Sequence, residues 1–498
     1  MKKTLLTLSQ LFLTIGLFAQ VQLGSNLVGE NTGDQSGRST AISNDGSFVV
    51  VGATTAVSDI NGGIFIRGGH VRVYGYNGVH WTGGDDFDAT DGNDSFGSAV
   101  TMNGEGTIIV CGAPTGGTSN VGYLHAYVET GSGYIRYDGN DLVGDVGKSG
   151  FGRALAMTDD GTRLIVGGDN YVKVLEKLSF GSPWTQVGQT LEGESSSDNF
   201  GHDVAISISG TRIIVGNPAS DIGGTDAGYA RVYDLVGNTW TQLGNDITDV
   251  TGDNAGAGVD IASNGSRIAV SFPGDDNTNG INAGSVRTYS LNGGVWTQVG
   301  NSILGNGNND ALGSAGNQGA IDLRQSGTFI AVGSRSGITN LNGYVEVYQI
   351  PIGGNIWSKI GTTIVGSNTS DHLGFSVAMN DDDFFGTRVA MGAPQADDNG
   401  NLSGHTQVYE YSGVVLSTNE VSNSINSVNV YPNPTKDIIY ITGTQPKEIT
   451  VYDAQGRFIK TYAQPTNHIS VSNMSKGMYF LQITDQNNAI SNQKIIVQ

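Results

Sequence analysis

Residues 203–244 read DVAISISGTRIIVGNPASDIGGTDAGYARVYDLVGNTWTQLG, four short apolar segments separated by turn residues. The second segment, TRIIVGN at Thr211, has six counterparts: SFVVVGA at Ser47, TIIVCGA at Thr107, TRLIVGG at Thr162, SRIAVSF at Ser266, TFIAVGS at Thr328 and TRVAMGA at Thr387. Before each lies a shorter run of small and apolar residues, as in DVAIS at Asp203 or SVAMN at Ser376. The third segment, YARVY, returns as HVRVY, YLHAY, YVKVL, SVRTY, YVEVY and HTQVY. These copies end at Tyr74, Tyr127, Leu175, Tyr233, Tyr289, Tyr348 and Tyr409, so the period runs from 48 to 61 residues. The fourth opens on Trp81, Trp184, Trp240, Trp296 and Trp357, and on Tyr134 in the second copy. A period of this length marks a repeat architecture.

Each segment has the length of a strand. Small polar turns such as Asn44-Asp45-Gly46 and Asp159-Asp160-Gly161 join the first two, as a tight hairpin requires. The second segment is apolar at successive positions, the pattern of a strand covered on both faces. The third alternates, with Val71 and Val73 on one face and Arg72 on the other. The three-and-four spacing of a helix is missing. Four antiparallel strands repeated seven times predict an all-β, seven-bladed propeller. The last copy stops near Tyr411 without a fourth strand, while VQLGSNLVGENTGDQSG (Val21–Gly37) aligns with TQVGQTLEGESSSDNFG (Thr185–Gly201). Residues 21–24 are therefore expected to complete the blade formed by residues 374–412, which removes an open sheet edge.

Composition agrees with many tight turns: the 498 residues include 76 glycines and only 10 prolines. The formal net charge is −21, from 46 acidic and 25 basic residues. Such a field opposes nucleic acid as a partner and suits cations, basic partners or plain solubility. A single cysteine, Cys111, excludes an internal disulfide and reads as a small buried hydrophobe. Lys2 and Lys3 followed by the apolar stretch Leu5–Phe18 predict a signal peptide over residues 1–19, cleaved near Ala19-Gln20. No later run is long enough to cross a bilayer as a helix.

Phe96-Gly97 followed by Gly112-Ala113-Pro114, Phe200-Gly201 followed by Gly216-Asn217-Pro218, and Gly374-Phe375 followed by Gly392-Ala393-Pro394 give the repeat its signature. It resembles the FG-GAP repeat, which builds the integrin α-subunit head and many bacterial surface proteins. The resemblance covers residues 20–413 and implies a propeller used for binding, commonly adhesion. Many members carry a calcium loop between the first and second strands. Here SNDGS or SISGT is too short to wrap a cation, so that site is expected to be absent. Longer loops between the second and third strands offer Asp275, Asn277 and Asn279 before Gly280, Asp397, Asn399 and Asn401, and Asp59 with Asn61. These sets fit the opening of a calcium loop but lack its final acidic ligand, and they equally fit ordinary turn chemistry, the preferred reading. No other cofactor is indicated. The repeated tryptophans are expected to pack against neighbouring blades rather than stack on sugars.

The seven histidines (His70, His80, His125, His202, His372, His405, His468) form no zinc pair, and no nucleophile elbow or phosphate loop occurs. Aspartates brought together near the axis would leave room for a glycan hydrolase or lyase. Beyond a polar stretch over residues 414–426 that reads as a linker, residues 427–498 carry seven short strands and predict a small immunoglobulin-like β-sandwich. Tyr431-Pro432-Asn433-Pro434, Tyr452-Asp453 with Gly456-Arg457, Gly477-Met478-Tyr479 and the terminal Lys494-Ile495-Ile496-Val497-Gln498 run in order through it. This block resembles the type A sorting domain of the type IX secretion system. The resemblance implies export past the outer membrane, with the secretion machinery as partner. The expected protein is a secreted or cell-surface, non-catalytic binding or adhesion protein of a Gram-negative bacterium, its ligand a glycan or surface protein. An extracellular polysaccharide hydrolase or lyase and a structural surface-layer component are the alternatives.

Overall fold

The computed structural model describes residues 18–497 apart from 60–64, 138–141, 179–181, 196, 315–318, 325, 338–340, 352–353, 382–385, 414–428, 433, 443–444, 454–457, 464, 466 and 487–489. Most of the expected leader, the linker, Asn61, Asn433, Gly456 and Arg457 therefore lie outside the described residues. The chain divides into two compact units, residues 1–415 and 416–498. The all-β expectation is met: among the described residues helical geometry is confined to short 3-10 pieces, at Thr118–Asn120 and at Leu341.

The first unit holds seven larger antiparallel sheets, numbered here by the chain order of their inner strands, and a two-stranded one, Val57–Asp59 with Phe65–Arg67; in all but the seventh the inner strand comes first in sequence. Sheet 4 is representative: Val204–Ile206, Arg212–Asn217, Tyr229–Val236 and Thr239–Gln242 pair in that order. The inner strands of the others are Ser36–Ile42, Ala99–Met102, Ala154–Met157, Val259–Ile261, Ile321–Leu323 and Ser376–Met379. Successive inner strands are neighbours, and the seventh neighbours the first. The second strands are the heart of the core, and each apolar cluster draws on two adjacent sheets. One joins Ile165 and Val174 of sheet 3 to Ile213, Val215 and Trp240 of sheet 4.

Three devices repeat across the sheet boundaries, each traceable to a residue of the repeat. The arginine of T-R-Φ-Φ-V reaches the hairpin turn of the next sheet: Arg163 donates to the Gly210 carbonyl at 2.8 Å, Arg212 to Gly265 at 2.7 Å, and Arg388 to Gly46 at 3.0 Å. Three of the tryptophans are buried, and their indole N–H groups donate at 2.9 Å to the preceding sheet: Trp240 to Val187, Trp296 to Leu243, Trp357 to Thr288. Third, the glycines of the signature touch. A Cβ on Gly112 would lie 2.0 Å from the Gly152 carbonyl, one on Gly216 2.0 Å from that of Gly256, and one on Gly392 1.9 Å from that of Gly37. Only hydrogen at these positions lets the sheets approach.

The closing strand departs from expectation in its extent. Val21 and Gln22 pair with the third strand of sheet 7 as expected, and the Leu23 N–H continues the ladder to the Val408 carbonyl at 2.8 Å, but the pairing starts earlier, as Phe18–Gln22 against Tyr409–Gly413. The third strand of sheet 7 runs on to Gly413 and offers a free edge, so the ladder recruits the residues before Val21 as well. The pairs Gln20–Tyr411, Val21–Glu410 and Gln22–Tyr409 lie beyond the expected cleavage point. Trp81 of sheet 1 donates to the Leu23 carbonyl at 2.9 Å, the bond that Trp240, Trp296 and Trp357 make to their own preceding sheets.

The second unit has two antiparallel sheets, Asn429–Tyr431 with Ile438–Thr442 and His468–Ser470, and Phe458–Ala463 with Pro446–Asp453, Gly477–Asp485 and Ile490–Val497. Ile439 and Ile441 from one and Ile449, Leu481, Ile483 and Ile495 from the other share one core. Tyr479 is buried and donates to the Ser475 carbonyl at 2.8 Å, while Gly477 and Lys494 sit in the ladder of the last two strands.

Candidate functional site

The seven inner strands line an axial cavity of about 240 Å³. Their common register against the second strands shows what faces it. The residue opposite the middle of the second strand is small in five sheets (Ala41, Thr101, Ala156, Ala205, Ala378) and aspartate in sheets 5 and 6, as Asp260 and Asp322. Asp203, just before the inner strand of sheet 4, joins them.

These carboxylates answer a need of the fold. Each inner strand is the edge of its sheet, so its outward N–H groups have no ladder partner. Asp203 accepts from Val204 at 3.0 Å and from Val259 of the next sheet at 2.8 Å. Asp260 accepts from Ile261 at 2.7 Å and from Leu323 of sheet 6, and Asp322 accepts from Met379 of sheet 7 at 3.0 Å. The reach is one sheet forward each time.

Burial here favours the neutral acid. Loss of water pushes Asp203 up to about 7 against the N–H groups of Val259, Gly319 and Val204, which pull it down. Burial and then the neighbouring Asp381 raise Asp322 to about 8. Burial and then Asp322 raise Asp260. A carboxyl whose folded pKa lies above its unfolded value stabilises fully below the unfolded pKa and loses that contribution as pH rises through the folded one. The stability difference between wild type and Asp322→Asn should therefore shift by roughly 1–3 kcal/mol between about pH 5 and pH 8.5, wild type losing ground as pH rises. Chemical unfolding at both pH values checks this; a difference that does not change with pH would contradict it.

The expected cation ligands are distributed otherwise. Asp275 pairs with Arg287 at 3.0 Å, Asn277 donates to the Gly284 carbonyl at 2.8 Å, and Asn279 donates to the Gly305 carbonyl at 2.8 Å. Asp397 accepts from the Leu402 N–H at 2.8 Å, Asn399 donates to Gly29 and Glu30, and the Asn401 carbonyl accepts from Gly33. The side chains of five of the six brace their own loops or neighbouring strands, the work turn residues commonly do. Sequence reasoning missed a second grouping, Glu30, His70 and Asp86, whose ligand atoms lie within 4.8 Å of one another. Arg72 pairs with both carboxylates and offsets part of their charge. The three lie in different segments, so no spacing could have revealed them.

Over residues 429–498 the chain matches the family described as secretion system C-terminal sorting domain. That domain marks the protein for type IX export to the surface or surroundings of a Gram-negative cell. No curated protein matches the chain. Among solved structures it is similar to a protein provisionally named 6-phosphogluconolactonase from Bacteroides uniformis, at 10% identity and a TM-score of 0.47 over 66% of this chain and 85% of that one. A similarly named protein from Bacteroides fragilis gives 12% identity and a TM-score of 0.45 over 66% and 84%.

Proposed function

We propose that residues 20–413 form a seven-bladed β-propeller of FG-GAP type that serves, once exported, as a non-catalytic binding module at the cell surface or beyond it. Residues 414–426 are then its linker and residues 427–498 its sorting domain. The observation that carries the binding reading is the engagement of the axial carboxylates: Asp203, Asp260 and Asp322 accept N–H bonds from the following sheets, which makes them staples between sheets. The cyclic order of inner strands and the touching signature glycines support the propeller. The ligand is a glycan or a surface protein.

A second reading has its own support. Raised acids beside other carboxylates, as at Asp322 with Asp381, are what a general acid in a polysaccharide hydrolase or lyase requires. The secreted protein should capture members of a panel of extracellular polysaccharides and surface proteins without releasing oligosaccharides from any of them. Asp322→Asn should bind as wild type does. Depolymerisation that Asp322→Asn abolishes would establish the enzyme instead.

A further inference from the structure

The chain carries nearly twice as many acidic as basic residues, and most arginines of the repeat have carboxylate partners. Arg163 pairs with Glu176, Arg212 with Asp234, Arg231 with Asp246 and Arg388 with Glu410. Arg38 and Arg335 depart from this. Neither makes an ion pair or hydrogen bond among the described residues, and both are half-buried. They come from opposite ends of the ring sequence. Arg38 lies on the inner strand of sheet 1, and Arg335 directly follows the second strand of sheet 6. Phe375, buried at the start of sheet 7, stands between those sheets. The Arg38 guanidinium lies 4.8 Å from its ring centroid and that of Arg335 lies 5.6 Å from it. The aromatic face holds two like charges in place.

Burial and then Arg335 lower the pKa of Arg38. Arg38 and Phe375 line the axial cavity at the end where the inner strands begin. Asp159 and Asp381 lie past the ends of theirs, at the opposite mouth. Two guanidinium groups without a carboxylate partner on one aromatic ring form a set of donors with one natural complement, the oxygens of an anion.

We propose that Arg38 and Arg335 form an oxyanion-binding site around Phe375, taking a carboxylate or sulfate group of the ligand. The proposal names a ligand class for the binding module and rests on that reading. An acidic sugar and a free inorganic anion share this chemistry, so both are tested. Titration calorimetry on the secreted protein, in chloride buffer, uses glucuronate, polygalacturonate, inorganic sulfate and glucose. Glucuronate should bind and glucose should not. Sulfate bound as tightly as glucuronate identifies a free anion as the source, and polygalacturonate bound more tightly than either identifies an acidic polymer. Arg38→Gln with Arg335→Gln should weaken each anion by about tenfold or more. That double variant should melt no lower than wild type in the absence of anions, because it removes a like-charge pair. Anion affinities equal to that for glucose, or unchanged in the double variant, would overturn the site. Breakdown of polygalacturonate would overturn the non-catalytic reading while leaving the anion site standing.

Discussion

A chain carrying Gly392→Ala should unfold far more readily than wild type. A methyl group there would sit 1.9 Å from the Gly37 carbonyl and 2.5 Å from the Ser376 hydroxyl oxygen, and the carbonyl is backbone that cannot swing aside. The seventh and first sheets must separate to admit it, in a core that tolerates little added volume. The expected loss is about 3 kcal/mol or more, a fall in melting midpoint of roughly 5 °C or more. Gly83→Ala is the control: its Cβ would meet only Tyr74 at 3.9 Å, so its midpoint should stay within about 1 °C of wild type. Equal midpoints for the two variants would mean that the signature glycines do not set the spacing of the sheets.

Removal of residues 416–498 should stop export at the periplasm. The two units are separately compact, with the Ile439, Ile449 and Leu481 core complete inside the second, so the first should fold without it. The matched sorting family occupies residues 429–498. Cell fractionation should find the truncated protein soluble in the periplasm, with the surface and medium depleted by about tenfold or more. Fusing residues 416–498 to a periplasmic reporter should send that reporter out. A truncated protein reaching the medium at the wild-type level would refute the assignment of the tail as the export signal.

The sheets were legible because each strand announces itself locally. Ile213, Ile214 and Val215 are fully buried, as their apolar run predicted, and the alternating YARVY leaves Arg231 less covered than its neighbours Ala230 and Val232. The partner of the last sheet was legible too, though its extent was not, since pairing beyond Val21 depends on how far the opposite strand runs. The axial carboxylates were half visible. Aligning the repeats places Asp260 and Asp322 where five copies carry a small residue, a signal the sequence holds. That they reach Leu323 and Met379 follows only from the stacking of sheets. The buried aspartates before the inner strands were another unread series. Asp34, Asp94 and Asp371 each accept the N–H three residues upstream, at 2.7, 2.9 and 2.7 Å. Arg38, Arg335 and Phe375 could not be associated from sequence, because only the contact between the first and seventh sheets brings Arg38 to the other two.

Gln22 and its neighbour Tyr409 stand 387 positions apart, one near the beginning of the first unit and the other near its end. Synthesis delivers the earlier of the two at once and the later last. A contact of such high sequence separation is slow to form. Until it does, Tyr409–Gly413 has an exposed backbone edge and the indole of Trp81 lacks its Leu23 acceptor. A chain that stopped before Tyr409 would instead leave Phe18–Gln22 without the strand it pairs with, an open edge of the kind that invites association.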